Sequence, residues 1–205
     1  GFYIAMIAIL LALILRPVGF KFRGKVADPR WRAAWDWALF VGGFVPSLVF
    51  GVAVGNLLLG VPFRLDDTLR PSYEGNFFLL LSPFALIAGL LSLSMLVTQG
   101  ATIIAMRTDG PVADRARKYG QWSAAATFAL FILGGIVTLF LLTGFKVTSL
   151  QDMAGPANPM TKTVVTEPGA WGANYSANPW MILAPTLAII GSVLAYLALE
   201  LKAKV

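Results

Sequence analysis

Asp36, Asn56 and Gln99 are the residues of this sequence best suited to chemistry, and each would act by handling a proton or a hydrogen bond next to long apolar stretches. Asp36 stands among Trp31, Trp35 and Trp37, with Arg32 four residues earlier on the same helical face. Two readings are open for it. A carboxylate at a membrane entrance can take up protons or sit beside a quinone, because ionisable groups within a bilayer tend to be functional. Alternatively, Trp31, Arg32, Trp35 and Trp37 are interface anchors: the indoles form an aromatic belt and Arg32 pairs with Asp36 at the headgroup level. Asn56 and Gln99 carry amides that donate two hydrogen bonds and accept through the oxygen, so in hydrocarbon each needs a partner. They serve as interhelical glue or as the lining of a polar path for protons.

The chemistry that is ruled out is equally informative. The sequence has no His and no Cys. That removes the Ser-His-Asp and thiol nucleophiles, disulfides, zinc sites and the usual axial ligands of haem. Six methionines (Met6, Met95, Met106, Met153, Met160 and Met181) leave only a bis-methionine haem as a formal option. No catalytic, cofactor-binding or metal-ligating residue is therefore expected in this chain.

The elements that must position these side chains follow from hydropathy. Of 205 residues, 58% are hydrophobic and 13% charged, whereas an average soluble domain is about half apolar and a quarter charged. Apolar stretches of spanning length mark an all-α, polytopic transmembrane helix bundle forming one membrane domain. Its spans lie at about 1–15, 33–60, 76–106, 120–143 and 179–200, with an outer loop at 144–178. The first stretch reaches only about 22 Å at 1.5 Å per residue, short of the roughly 30 Å hydrocarbon core, and is expected to be truncated. The prolines of the outer loop predict an irregular connection that covers or docks. Asn174-Tyr175-Ser176 within it matches a weak glycosylation pattern.

In the second span Gly43, Ser47, Gly51 and Gly55 recur every four residues and form a helix-packing seam on which a neighbouring helix can approach closely. Pro46 and Gly42-Gly43 could kink the same helix. Twelve of the sixteen Lys and Arg residues fall in segments 16–32 and 107–118 and in the C-terminal tail. By the positive-inside rule, loops 16–32 and 107–119 and the C-terminal end are cytoplasmic. The net charge of +6 is thus topological, and a nucleic-acid partner is not indicated, since the basic residues occupy short loops and not one groove-sized face.

The strings themselves are similar to a known family. Leu15-Arg16-Pro17-Val18-Gly19-Phe20, Trp31-Arg32 with Trp35-Asp36-Trp37, Phe44-Val45-Pro46, Gly51-Val52-Ala53, Gly55-Asn56-Leu57-Leu58 and Gly60-Val61-Pro62-Phe63 resemble subunit II of the cytochrome bd quinol oxidases. The likeness continues in order through Gly75-Asn76-Phe77-Phe78, Ser82-Pro83-Phe84, Gln99-Gly100-Ala101-Thr102, Arg107-Thr108, Asn158-Pro159 and Gly169-Ala170-Trp171.

The resemblance implies a multi-pass subunit of a bacterial plasma (inner) membrane, in a heterodimer with a homologous subunit I. In that family subunit I carries the haems b and d, oxidises quinol and reduces dioxygen to water. Subunit II stabilises the assembly, and part of a proton-entry route and a structural quinone are attributed to it in some members. The implied partners are therefore the haem-bearing subunit I, quinol and the lipid bilayer. About two further helices precede the matched region in the family and carry its proton-entry acid, so that role passes to no residue here, Asp36 included. From the residues alone, a secondary transporter with Pro46, Asn56 and Gln99 lining a midplane site, or a purely structural membrane subunit, remains as an alternative.

Overall fold

The computed structural model describes residues 2–68, 70–149 and 162–201. Five helices long and apolar enough to cross a membrane dominate it. Helix α1 spans Tyr3–Phe22, α2 Pro29–Leu59, α3 Pro83–Arg107 and α4 Pro111–Ile136, while α5 (Ala170–Ala177) is short and α6 spans Leu183–Glu200. Short 3-10 turns at Phe77–Leu81 and Pro179–Ile182 lead into α3 and α6, and a π-helical turn at Val137–Leu141 extends α4.

The helix starts have local causes. Asp28 accepts the backbone N–H of Arg30 ahead of Pro29, and Ser82 accepts that of Ala85 ahead of Pro83. In each case a side-chain oxygen satisfies an orphan donor while proline pre-sets the first helical φ. Gly110, at φ 72°, turns the chain into Pro111 and α4. Helix α1 continues seven residues beyond the apolar run at 1–15, through Arg16, Pro17 and Lys21. Its twenty residues rise about 30 Å, enough to cross the hydrocarbon core. Long basic side chains near a helix end can extend their charges to the interface, so the helix outlasts its apolar sequence.

Each of the first three helices packs on the next, and α6 packs on α4. Close approach is set by small residues. A Cβ on Gly42 would lie 2.8 Å from the Ala12 carbonyl of α1, and one on Gly51 2.5 Å from the Ala88 carbonyl of α3. Alanines are correspondingly frequent among the buried side chains, as with Ala85, Ala101, Ala113 and Ala124. Small interfaces of this kind suit helices that associate in lipid by backbone proximity.

Two antiparallel hairpins lie at the end of the bundle opposite the α1–α2 turn. Strands β1 (Phe63–Leu65) and β2 (Pro71–Tyr73) pair Arg64 with Ser72. Strands β3 (Thr143–Ser149) and β4 (Thr163–Pro168) pair Phe145 with Thr166, with an irregularity between Val147 and Ser149. The segment expected to be irregular is thus partly ordered, because its Thr- and Val-rich ends have strand character. Asn158-Pro159, Met153, Met160, Lys202 and Lys204 lie outside the described residues.

Candidate functional site

Asp36 lies in the second turn of α2 and pairs with Arg23, not with Arg32. Arg23 Nε and Nη2 reach Asp36 Oδ1 and Oδ2 at 2.5 and 3.1 Å. This forked arrangement satisfies both carboxylate oxygens, which a side chain four residues earlier on the same helix does less readily. The α1–α2 turn brings Arg23 across to α2, and tertiary closure overrides local spacing. Around the pair, Phe22 stacks on Trp35 at 5.8 Å, Trp31 meets Trp35 edge-on at 5.7 Å, and Trp31 Nε1 donates to the Phe22 carbonyl at 2.9 Å. Trp37 faces outward, edge-on to Phe40. The hydrogen bond and charge of Asp36 push the pKa of the Arg23 guanidinium upward, so this clamp stays charged.

Asn56 lies twenty residues further along α2, about 30 Å away along the helix axis. It is buried, and its Nδ2 donates to the Val52 carbonyl at 2.8 Å and to the Leu80 carbonyl at 2.7 Å. The second bond ties α2 to the 3-10 turn at the start of α3. Gly51 and Gly55 stand directly against Ala85, Ala88 and Gly89 of α3. Gly43 meets nothing within 4 Å, and Ser47 returns its hydroxyl to the Gly43 carbonyl at 2.7 Å. The repeating small residues therefore make close contact only in the half of α2 near Asn56, and Gly42 faces α1 instead. Helix α2 runs unbroken through Pro46.

Gln99 is exposed on α3, with no hydrogen-bond partner among the described residues. It borders a cleft of about 1560 Å³ lined by α2, α3, α4, α5 and α6. Most of the lining is apolar (Phe50, Leu91, Met95, Phe131). At one end Trp171 and Tyr175 of α5 meet the π turn at Thr138–Phe140. The Trp171 indole N–H is buried without a partner among the described residues. Asp36, Asn56 and Gln99 do not form one network. Asn56 lies level with Phe84 and Ala85 on α3, and Gln99 is about 21 Å farther along that helix.

Beside the cleft is a feature that the residue types alone did not single out. Thr98 Oγ1 donates to Ser123 Oγ at 2.9 Å, and Thr127 Oγ1 donates to Ser94 Oγ at 3.0 Å. Two hydroxyl pairs thus cross from α3 to α4. Their signal was available in the sequence as Ser or Thr at four-residue intervals, at 94, 98 and 102 and at 123 and 127.

The donor set of this stretch does not fit a haem iron: with no His or Cys, the remaining soft donors are methionines, and among the described residues Met95 alone of these borders the cleft. Among the described residues, no three His, Cys, Asp or Glu side chains cluster as a metal site. The arrangement is that of a helical frame with a polar clamp at one end and a wide apolar cleft.

The family described as "Cytochrome bd terminal oxidase subunit II" matches residues 1–204. The chain belongs to that family. Among relatives of this bd subunit II chain, "Probable cytochrome oxidase subunit 2" of Haemophilus influenzae is 49% identical over 194 residues, covering 95% of this chain and 51% of the relative. "Cytochrome bd-I ubiquinol oxidase subunit 2" of Escherichia coli K12 is 47% identical over 190 residues, 93% of this chain and 50% of the relative. "Cytochrome bd ubiquinol oxidase subunit 2" of Bacillus subtilis is 33% identical over 121 residues, 59% of this chain and 35% of the relative. The chain spans about half the length of the first two of these curated relatives.

Proposed function

We propose that this bd subunit II chain serves a terminal quinol oxidase as the subunit without haem, scaffolding a haem-bearing subunit I that oxidises quinol and reduces dioxygen to water. The observation that carries this reading is the family match across the chain, taken together with a donor set that lacks His and Cys. Haems b and d belong to the partner, and the contribution of this chain is packing, orientation and any polar access between its helices.

The bundle sits in a bacterial plasma membrane with the α1–α2 and α3–α4 turns and the C-terminal end on the cytoplasmic side. The six basic residues of segment 16–32 support that orientation. The apolar cleft takes a structural quinone, whose isoprenoid tail suits walls such as Phe50, Leu91 and Phe131 and whose carbonyl oxygen suits the unpartnered Trp171 N–H. Such a quinone stabilises the fold and takes no part in turnover. A transporter site built from Pro46, Asn56 and Gln99 has no support, since Asn56 and Gln99 lie in different halves of the bundle.

Isolation of the intact complex tests the proposal. The chain should copurify with a haem-bearing subunit and with quinol-dependent oxygen uptake; a preparation without either overturns it. The Asp36→Asn variant should yield less complex while keeping oxygen consumption per haem, because the Arg23–Asp36 pair is an exposed structural clamp between α1 and α2. A large loss of turnover at normal haem content would instead make Asp36 a proton-handling group.

A further inference from the structure

We propose that the α1–α2 turn is a docking surface for the phosphate headgroups of anionic phospholipids, presented by Lys25 and by Arg30 and Arg32 on the two flanks of α2. The turn is crowded with positive charge: between residues 16 and 36 there are six Lys and Arg residues against Asp28 and Asp36. Both acids are already engaged. Asp36 is gripped by both arms of the Arg23 fork, and Asp28 accepts the backbone N–H of Arg30 as the cap of α2. Among the described ion pairs, none involves Arg16, Lys21, Lys25, Arg30 or Arg32.

The opposite end of the bundle is balanced differently. There Arg64 pairs with Glu74 at 3.0 Å and Lys146 with Glu167 at 3.4 Å. Surplus charge at the α1–α2 turn is therefore a property of how side chains are paired, as well as of how many are present.

The depth of the turn suits a lipid and not merely a counter-ion from solution. Phe20, Trp37 and Phe40 are 72%, 68% and 55% exposed on the adjoining turns of α1 and α2. An outward Trp near the end of a membrane helix marks the interface, and the cations lie beyond Trp37 toward the helix end, at phosphate level. Beneath the cations the surface is fixed: Phe22, Trp35 and Trp31 are packed ring against ring, and the Lys25 ammonium stands 4.9 Å from the centre of the Phe22 ring. The packed rings fix the α1–α2 turn, and Lys25, Arg30 and Arg32 stand exposed on it.

The test uses the full-length chain in its membrane complex, reconstituted in nanodiscs of three parts phosphatidylcholine to one part phosphatidylglycerol. After re-solubilisation, the retained lipids are counted by native mass spectrometry. Wild type should retain phosphatidylglycerol above its share of the bulk lipid. Each basic residue near an anionic surface contributes about fivefold, so Lys25→Gln/Arg30→Gln/Arg32→Gln should weaken retention by roughly a hundredfold at low salt. Arg64→Gln/Lys146→Gln, at the other end, should leave it unchanged. Wild type in 1 M salt, where screening acts over about 3 Å, should also lose its preference, and this measurement needs no variant to fold. Equal phosphatidylglycerol enrichment in the triple variant and wild type, an enrichment insensitive to salt, or an equal loss in the Arg64/Lys146 variant would overturn the assignment.

Discussion

Adding one methyl group at Gly51 should separate α2 from α3, whereas adding the same group at Gly43 should be tolerated. A Cβ at Gly51 would sit 2.5 Å from the Ala88 carbonyl oxygen, 2.6 Å from Ser92 Cβ and 2.7 Å from Gly89 Cα. Two of these three atoms are backbone and cannot swing aside. Ordinary contacts between such atoms lie at about 3.5–4.0 Å, so the helices must part by about 1 Å or bend. Overpacking of this kind costs about 1–3 kcal/mol. Gly43 meets nothing within 4 Å, and replacing an unconstrained helical glycine by alanine stabilises by up to about 1 kcal/mol. The two substitutions are chemically identical, lie eight residues apart on one helix, and should differ in sign. Unfolding of the purified chain in detergent, followed by far-UV circular dichroism across a denaturant or temperature series, reads the difference directly. If Gly51→Ala proves as stable as wild type, or Gly43→Ala loses as much as Gly51→Ala, the close α2–α3 approach is not what holds these helices together.

Other outcomes follow from the same geometry. Asn56→Leu strips the Leu80 carbonyl of its donor and should lower stability by about 1–3 kcal/mol, measured as a shift in the same unfolding curve; an unchanged curve would mean that the α2 tie to the 3-10 turn is dispensable. A double-mutant cycle on Thr98→Val and Ser123→Ala should return a coupling of about 0.6 kcal/mol, and a coupling of zero would leave that hydroxyl pair without energetic weight. The Thr68 hydroxyl, followed by the Arg70 backbone N–H, holds the Asp66 carboxyl below its usual pKa. A carboxyl lowered on folding stabilises at pH above its unfolded value and loses that contribution as pH falls through the folded one. Amide exchange at Thr68 and Arg70, corrected for intrinsic rates, should therefore speed up only below about pH 4, and Asp66→Asn should abolish the dependence.

The membrane-crossing elements were legible in the sequence because their signal is the sum of many apolar residues. Their ends were not. Hydropathy starts the second and fourth spans at 33 and 120, but the helices begin at Pro29 and Pro111. Their first two turns carry Arg30, Arg32, Asp114 and Arg117, which a helix accommodates near its exposed start but a hydropathy window does not count. The third span errs in the other direction. Phe77–Leu81 is apolar enough to count, yet it forms a separate 3-10 turn, because the Ser82 cap and Pro83 restart the chain as α3. Individual pairings were the least legible. Arg32 has the right spacing to reach Asp36 along one helix, and Arg23 wins through a turn that periodicity does not describe. Similarly, the four-residue repeat of small side chains identifies a stripe without saying which of its members meets a neighbour: Gly51 and Gly55 do, and Gly43 does not.

Phe145 of β3 lies against Gly60, where an added Cβ would come within 2.6 Å of the ring and where φ is 82°. This contact joins residues separated by the whole of α3 and α4. Packing between consecutive helices can form as each hairpin enters the bilayer, but β3 can reach the end of α2 only after both intervening helices have crossed. The seat of Phe145 at Gly60 is thus a record of completed insertion. During biosynthesis, protection of the β3–β4 hairpin from an added protease should be acquired late and in a single step, and a chain stalled with α4 uninserted should keep that hairpin open to cleavage even though α1 to α3 have already assembled.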